Sequence, residues 1–338
     1  MIIPIIRTSA LEFWLDGTGK NDNPIKRPAL NLPSHFDFSI NTQIASALAR
    51  EYHLSTPVCL MVQNNKHRYS NEAFHSFPCP KSMPANSFVE LTDHFGETVL
   101  MSSPEAGFLF AAATLPFYEV VRVGCLLCSM YVSDRSQAML QRSRLPVTSV
   151  KKIRQYLKGA DNAHGIKIAR KAINYVIDNC NSPMEVSLAV LSCLPISRGG
   201  YALKRPAMNG EIRLMLAVAK KMGIQKCHCD MVWEEQKTVL EYESNLTHLD
   251  KYQHEYDKKR SSAITLSGYQ IINLTAGQLT SFSKTDETFF MIRHILEMQK
   301  NTRTFQQYED IRREVVRELI LKKKSLQQIL GIGSQGND

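Results

Sequence analysis

The sequence has no apolar run of about 18 residues, the shortest that reads as a transmembrane helix. Its first residues, MIIPIIRTSALEFW, lack the basic and then apolar order of a secretory signal. Eight cysteines among 338 residues are too few for a small exported disulfide scaffold. We therefore expect a cytoplasmic protein that does not associate with membranes.

Motifs for nucleotide chemistry are also missing. Neither G-x-x-x-x-G-K-[ST] nor G-x-G-x-x-G occurs, so nucleotide-driven chemistry has no support. Cys125 and Cys128 form a C-x-x-C, but their apolar surroundings predict a helix, and we interpret this pair as packing rather than as a zinc knuckle. Cys227 and Cys229 alternate with His228 on a predicted strand, which places the imidazole on the opposite face from the thiols and argues against a shared metal.

What the sequence does contain is typical of a globular chain. It is 43% hydrophobic and 22% charged, close to ordinary folded proteins. At roughly 100–200 residues per domain, two or three domains are expected. The patterning favours an α+β or α/β fold, which we divide into a β-containing module with helices at 1–100, a helical basic module at 101–180, an α/β core at 181–285, and C-terminal helices with a tail at 286–338.

Apolar periodicity predicts the local elements. Helices are expected at 40–52, 102–115, 150–159, 163–179, 181–195 and 308–324, the last one charged and amphipathic, and strands at 57–63, 87–92, 94–100, 226–233, 238–244 and 268–275. Ser103, Thr148 and Asn162 are the predicted N-caps of the second, third and fourth helices, because a side-chain oxygen there can accept from a free backbone N–H.

Positive charge is concentrated in one stretch. The chain carries a net charge of +9, and between Arg142 and Lys171 nine basic residues face only Asp161. Such a stretch is either a solvated helix face or a surface that contacts nucleic acid, and its one-sidedness favours the second, with DNA as the expected partner. The predicted contacts are Lys151, Lys152, Arg154, Lys158, Lys167, Arg170 and Lys171.

A predicted hairpin carries the opposite charge. The strands 226–233 and 238–244 flank the polar turn EEQK, and their centres hold Asp230, Glu241 and Glu243. Glu241 and Glu243 share a face with Cα atoms about 6.6 Å apart, and the hairpin can bring Asp230 alongside Glu241. Carboxylates placed together on an exposed hairpin are destabilising unless a cation neutralises them. The strand–helix–strand return that follows predicts a mixed sheet with a right-handed crossover.

These motifs as a set resemble the restriction-endonuclease-like PD-(D/E)XK superfamily, and within it the very-short-patch-repair-endonuclease-like branch. The residues that carry the resemblance are Glu185 in a first helix, Asp230, Glu241-Tyr242-Glu243-Ser244, His248, Asp257, Arg260, Gly268-Tyr269, and Thr275 with Gln278-Leu279. Over about residues 30–280 the chain also resembles bacterial proteins grouped with the AbiEi-type antitoxins. The resemblance implies a restriction-endonuclease-like core at 181–285, a mixed sheet flanked by helices.

The resemblance also implies a chemistry. Asp230 and Glu241 would bind Mg²⁺ or Mn²⁺ as hard oxygen ligands, and Glu185 would complete the shell through a water. The ion would polarise the scissile phosphate and help to generate hydroxide. The superfamily usually has a lysine where this chain has Glu243. The missing basic group would therefore have to come from His248, Lys251 or Lys258.

Three functions are consistent with this pattern. The first is a metal-dependent DNA endonuclease, active in phage defence. The second is a non-catalytic, antitoxin-like DNA-binding regulator of a toxin–antitoxin module that retains the nuclease fold. The third is an interaction protein whose terminal helix, 308–324, docks a protein partner or a second copy of the chain.

Overall fold

The computed structural model describes residues 2–16, 38–79, 83–84, 86–94, 97–132, 144–243, 251–298 and 302–332. The chain forms two compact units, each described here by itself. The first comprises Met1–Val176 together with Lys324–Asp338, and the second comprises Ile177–Lys323. The finer division into four segments stays a prediction.

The elements follow in chain order. The first unit contains β1 (Ile2–Ile5), α1 (Arg7–Leu15), α2 (Phe38–Glu51), β2 (Val58–Val62), β3 (Phe74–Pro78), β4 (Phe88–His94), β5 (Glu97–Ser102), α3 (Pro104–Thr114), α4 (Phe117–Leu127), α5 (Val150–Lys158) and α6 (Ile166–Ala172). The second contains α7 (Pro183–Cys193), β6 (Ala207–Arg213), α8 (Leu216–Met222), β7 (Lys226–Trp233), β8 (Thr238–Glu243), α9 (Lys251–Leu266), β9 (Gln270–Thr275), α10 (Phe282–Ile295), α11 (Thr302–Gln307) and α12 (Glu309–Val316), and α13 (Leu326–Ile329) returns to the first unit.

The first unit is built on a five-stranded mixed sheet of order β3-β2-β1-β5-β4. The pairs β1–β5 and β2–β3 are parallel, and the pairs β1–β2 and β4–β5 are antiparallel. Every side chain of β2 is buried, as its unbroken apolar sequence predicts for a strand covered on both faces. Trp14 of α1 is tied to the sheet, since its indole N–H donates to the Ser102 carbonyl at 2.8 Å.

The second unit is built on a four-stranded mixed sheet of order β6-β7-β8-β9. β6, β7 and β8 run antiparallel, whereas β9 returns through α9 and lies parallel to β8. The predicted hairpin, its turn and the mixed sheet flanked by helices are therefore present. The hairpin is not exposed as expected, because β7 and β8 are the two central strands and their apolar side chains form the core.

Two predicted N-caps are wrong. α5 is capped by Ser149, whose Oγ accepts from Lys152 N–H at 3.3 Å, because the Thr148 hydroxyl instead donates to Glu105 Oε1 at 2.6 Å. α6 begins at Ile166 after Gly165 rather than after Asn162. Gly165 has a left-handed φ of 81°, and a Cβ there would lie 2.7 Å from the Ala113 backbone nitrogen, so the chain must turn at a glycine before this helix starts.

Other helix predictions hold with shifted ends. Ser103 caps α3 as predicted, accepting from Ala106 N–H, and α2 covers nearly the expected range. The predicted helix at 308–324 is not uniform, since α12 passes at Arg317 into a π-helical turn that ends at Leu321. Among the described residues, no helix is long and apolar enough to cross a membrane.

Candidate functional site

Three carboxylates from three elements of the second unit form what we call the acidic cluster: Glu185, Asp230 and Glu241. Glu185 lies in the first turn of α7. Its backbone N–H donates to the capping hydroxyl of Ser182 at 3.1 Å, and its Oε2 accepts from Asn181 N–H at 2.8 Å. The second bond folds the carboxylate back over the helix start, and the residue is only 5% exposed.

Asp230 is placed by a bond across the central strands. The ladder pairs Met231 with Leu240, so the next residues along it are Asp230 on β7 and Glu241 on β8. Oδ2 of Asp230 accepts from the Tyr242 N–H at 2.8 Å, which holds its carboxylate against β8. The predicted juxtaposition of Asp230 and Glu241 is therefore present.

Glu241 is oriented by Arg260 of α9. Nη2 of Arg260 lies 2.6 Å from Glu241 Oε1, with both side chains about one-fifth exposed. The same nitrogen donates to the His228 carbonyl and lies 3.7 Å from Cys229 Sγ. Arg260 is thus fixed by β7 and β8 together, which gives Glu241 a defined position.

The acidic cluster shifts the proton affinities of two members. Burial raises the pKa of Glu185 to about 7, and the negative charges of Asp230 and Glu241 add to this rise. Burial also raises the pKa of Asp230 to about 6, with Glu241 contributing, although the Tyr242 N–H and Arg260 oppose the shift. Asp230 and Glu241 therefore both act on Glu185, and Glu241 acts on Asp230. A cation placed among these carboxylates would offset both the burial and the repulsion.

The donor set fits one kind of metal ion. Among the described residues, no group of three or more His, Cys, Asp and Glu side chains is arranged to hold a metal. Mg²⁺ is commonly bound by one or two carboxylates together with waters and substrate phosphates. Asp230 and Glu241 match that requirement. Burial raises the pKa of the neighbouring Cys229 thiol, which argues against a soft thiolate site.

The remaining predicted catalytic residues are not gathered at the acidic cluster. Glu243 ends β8 and is exposed. Lys258 is exposed on α9, where its carbonyl accepts from the Ser262 hydroxyl. His248 lies outside the described residues.

Arg260 also belongs to the site, although the sequence pattern predicts no role for it there. It is among the residues that carry the resemblance. A signal was present, because Arg260, Ala263 and Ile264 share a helix face at i, i+3 and i+4, and the last two are buried against the sheet. A charged residue on that buried face has to meet a partner on the strands.

The predicted nucleic-acid contacts form the basic face of the first unit, on α5 and α6. All seven of its side chains are exposed, namely Lys151, Lys152, Arg154, Lys158, Lys167, Arg170 and Lys171. The apolar sides of the two helices are buried, as the periodicity predicts. Arg170 forms an ion pair with Asp161 at 2.5 Å.

Arg144, which lies in the same basic stretch of sequence, is not part of this face. Its Nη1 donates to the Trp14 carbonyl and its Nη2 to the Leu126 carbonyl at 3.4 Å. Burial lowers its pKa to about 10. Its charge therefore fastens the first unit internally.

Comparison of the chain with protein-family models, with curated proteins and with solved structures gives no match in any of the three.

Proposed function

We propose that the second unit is a metal-dependent DNA endonuclease with its site at the acidic cluster. The observation that carries this proposal is the convergence of Asp230 and Glu241 on the central strands, close enough to Glu185 for their negative charges to raise its pKa. Placing like charges together costs folding free energy, and such clusters are typical of functional sites that bind a cation.

The residues take distinct parts in this reaction. Asp230 and Glu241 hold Mg²⁺, and Glu185, protonated below about pH 7 and charged above it, holds or releases a proton on a water at the edge of the acidic cluster. When bound, the ion polarises the phosphate and lowers the pKa of its water. Arg260 keeps Glu241 in place through their ion pair. Its positive charge lies on the acidic cluster, which supports it as the group that faces the phosphate.

The resemblance to the restriction-endonuclease-like superfamily supports the same proposal through the element order. α7, β6, α8, β7, β8, α9 and β9 follow one another with one helix-linked parallel pair, and the acidic cluster lies on α7, β7 and β8. We propose that this unit is such a core and that the basic face of the first unit holds the DNA backbone. A role in phage defence follows from the resemblance alone.

The experiment that tests the function is cleavage of supercoiled plasmid and of single-stranded DNA by the full chain, with Mg²⁺, with Mn²⁺ and with EDTA. We expect nicking or linearisation with either ion and none with EDTA. Glu241→Gln should abolish it, whereas Lys221→Gln, an exposed change on α8, should not. Absence of cleavage under every condition, together with intact DNA binding, would contradict the proposal.

A second candidate is favoured by one observation. Glu241 is already neutralised by Arg260, and the exposed Glu243 stands where the superfamily has lysine. Both features suit a non-catalytic, antitoxin-like DNA-binding regulator. That protein should bind its own promoter with the same affinity in Mg²⁺ and in EDTA.

A further inference from the structure

The first unit contains a cavity of about 550 Å³ beside the start of α1. That volume lies in the range of small-molecule sites, roughly 300–1,000 Å³. Its walls are largely apolar, with Leu11 and Phe110 among them, and its polar lining includes Arg7 and His75. No part of the acidic cluster belongs to this unit.

Arg7 adopts an unusual backbone conformation at the edge of this cavity. It joins β1 to α1 with φ of 55°, in the left-handed region that L-residues other than glycine, asparagine and aspartate seldom occupy. Holding such a residue there costs about 1 kcal/mol or more. Glycine would adopt this conformation without that cost, so the arginine side chain occupies this position at a cost in backbone strain.

One nitrogen of the Arg7 guanidinium also lacks a hydrogen-bonding partner among the described residues. The guanidinium lies 3.9 Å from the centre of the Phe77 ring, and its Nε is buried without an acceptor among the described residues. Burial lowers the pKa of Arg7, and the nearby charge of Arg68 lowers it further. A buried N–H without an acceptor costs about 1–3 kcal/mol. An anion in the cavity would supply the missing acceptor and would neutralise this charge.

Other polar groups of the lining already have partners. Glu12 accepts from the Ser55 N–H at 2.9 Å and from its hydroxyl at 2.6 Å. Ser9 Oγ accepts from the Cys59 N–H at 2.9 Å, and Thr8 Oγ1 lies 3.3 Å from Cys59 Sγ. The cavity therefore presents an apolar wall, polar groups that already have partners, the Glu12 carboxylate among them, and the Arg7 guanidinium, whose Nε has no acceptor among the described residues.

We propose that this cavity binds a small organic anion, whose carboxylate or phosphate group contacts Arg7 and whose apolar body packs on Leu11 and Phe110. The strained backbone of Arg7, its Nε without an acceptor and the adjoining cavity are three separate features that meet at this one residue. The site is independent of the proposed nuclease, because its residues belong to the first unit and the acidic cluster belongs to the second.

Calorimetric titration of the full chain with four probes tests the ligand class. Phenyl phosphate and benzoate carry a ring and an anionic group, inorganic phosphate carries only the anion, and benzyl alcohol carries only the ring. We expect phenyl phosphate or benzoate to bind at least tenfold more tightly than inorganic phosphate and than benzyl alcohol. Whichever of phenyl phosphate and benzoate binds more tightly identifies the anionic group. The proposal would be overturned if benzyl alcohol bound as tightly as the aromatic anions. It would also be overturned if neither phenyl phosphate nor benzoate bound at millimolar concentration.

Variants separate binding from a structural role. Arg7→Gln should weaken the aromatic anion at least tenfold, whereas Arg50→Gln, which removes an exposed arginine from α2 of the same unit, should leave it unchanged. In the ligand-free protein, Arg7→Gly should melt no lower than the wild type, because it removes both the strain and the unpaired N–H. Loss of folding in Arg7→Gly, with probe binding retained in Arg7→Gln, would assign Arg7 to the structure and reject the site.

Discussion

The acidic cluster of the second unit and the basic face of the first carry charges of opposite sign. They differ as strongly in their exposure to solvent. Three half-buried or buried carboxylates share a small volume, and two of them have clearly raised pKa values. Seven exposed cations spread over two helices instead. The grouped carboxylates cost folding free energy at one place, whereas the exposed cations cost little and are spread over two helices.

This difference decides what each region can do. Burial strengthens every interaction among the carboxylates, so a single substitution there should have a large effect. Exposed cations are screened by salt and act by number, so each contributes little to a contact with a polyanion. The acidic cluster is suited to chemistry at one point, and the basic face to holding a long charged partner.

The largest effect should come from Asp230→Asn. It removes one of the two proposed ligands while keeping the side-chain shape and an oxygen that can accept from the Tyr242 N–H. We expect metal-dependent cleavage to fall about 1,000-fold, equivalent to about 4 kcal/mol. DNA binding should stay equal or become stronger, since a negative charge is lost. Rates of plasmid nicking and filter binding measure the two quantities.

The matched control for Asp230→Asn is Glu235→Gln, in the exposed turn of the same hairpin. It makes the same loss of charge within a few residues and should leave the cleavage rate within twofold. Equal loss in both variants would mean that net charge matters rather than the acidic cluster. Retained cleavage in Asp230→Asn would reject the site.

A pH titration of stability should show the next largest effect. Asp230 and Glu185 have pKa values of about 6 and about 7, raised chiefly by burial above their ordinary values of 3.8 and 4.5. Between about pH 4 and pH 7 the folded state therefore binds more protons than the unfolded state. The free energy of unfolding should fall as pH rises through that window, by at most about 1.4 kcal/mol per pH unit for each group.

Denaturant unfolding at half-unit pH steps checks this slope. Glu185→Gln should flatten it near pH 7, and Mg²⁺ should restore stability mainly above that pH, where both carboxylates are charged. Glu235→Gln should leave the slope as it is in the wild type. A stability that rises with pH in Glu185→Gln and wild type alike would show that other carboxylates dominate.

The acidic cluster could be predicted further from the sequence than its surroundings could. Alternating apolar residues and a polar turn predict the hairpin, and with it the neighbouring positions of Asp230 and Glu241. The approach of Arg260 depends on how α9 packs across β7 and β8, which no local pattern records. Burial of Glu185 is likewise a tertiary effect, because the sequence shows only a favourable first-turn carboxylate.

For the basic face too, the local sequence predicts some features, whereas others depend on residues distant in the chain. The 3.6-residue period correctly predicts which sides of α5 and α6 are buried. It cannot predict that Arg144 serves the interior, because its carbonyl acceptors on Trp14 and Leu126 come from other elements. Nor does the period predict whether Thr148 or Ser149 caps α5. The Thr148 hydroxyl is engaged by Glu105, which lies 43 residues earlier in the chain.

A smaller effect is expected on the basic face itself. Replacing Lys151 and Lys152 together by glutamine should weaken DNA binding roughly tenfold at moderate salt and lower the salt slope by about one to two. The control pair, Lys220→Gln with Lys221→Gln, removes two adjacent exposed lysines from α8 and should change neither. Fluorescence anisotropy across a salt series measures both. Equal weakening by the two pairs would mean that net charge alone attracts DNA.

The smallest expected effect on DNA binding concerns how α5, and with it the basic face, is held in place. Ser149→Ala removes the observed N-cap, at a cost of about 1 kcal/mol. Thr148→Val leaves that cap intact but takes the hydroxyl donor from the buried Glu105, which should cost about 1–3 kcal/mol. Neither variant changes charge, so urea unfolding compares them directly, while DNA affinity should change little in both. A larger loss for Ser149→Ala than for Thr148→Val would mean that the cap matters more than the buried bond. Loss of DNA binding in either would show that the basic face depends on its exact presentation as well as on its charge.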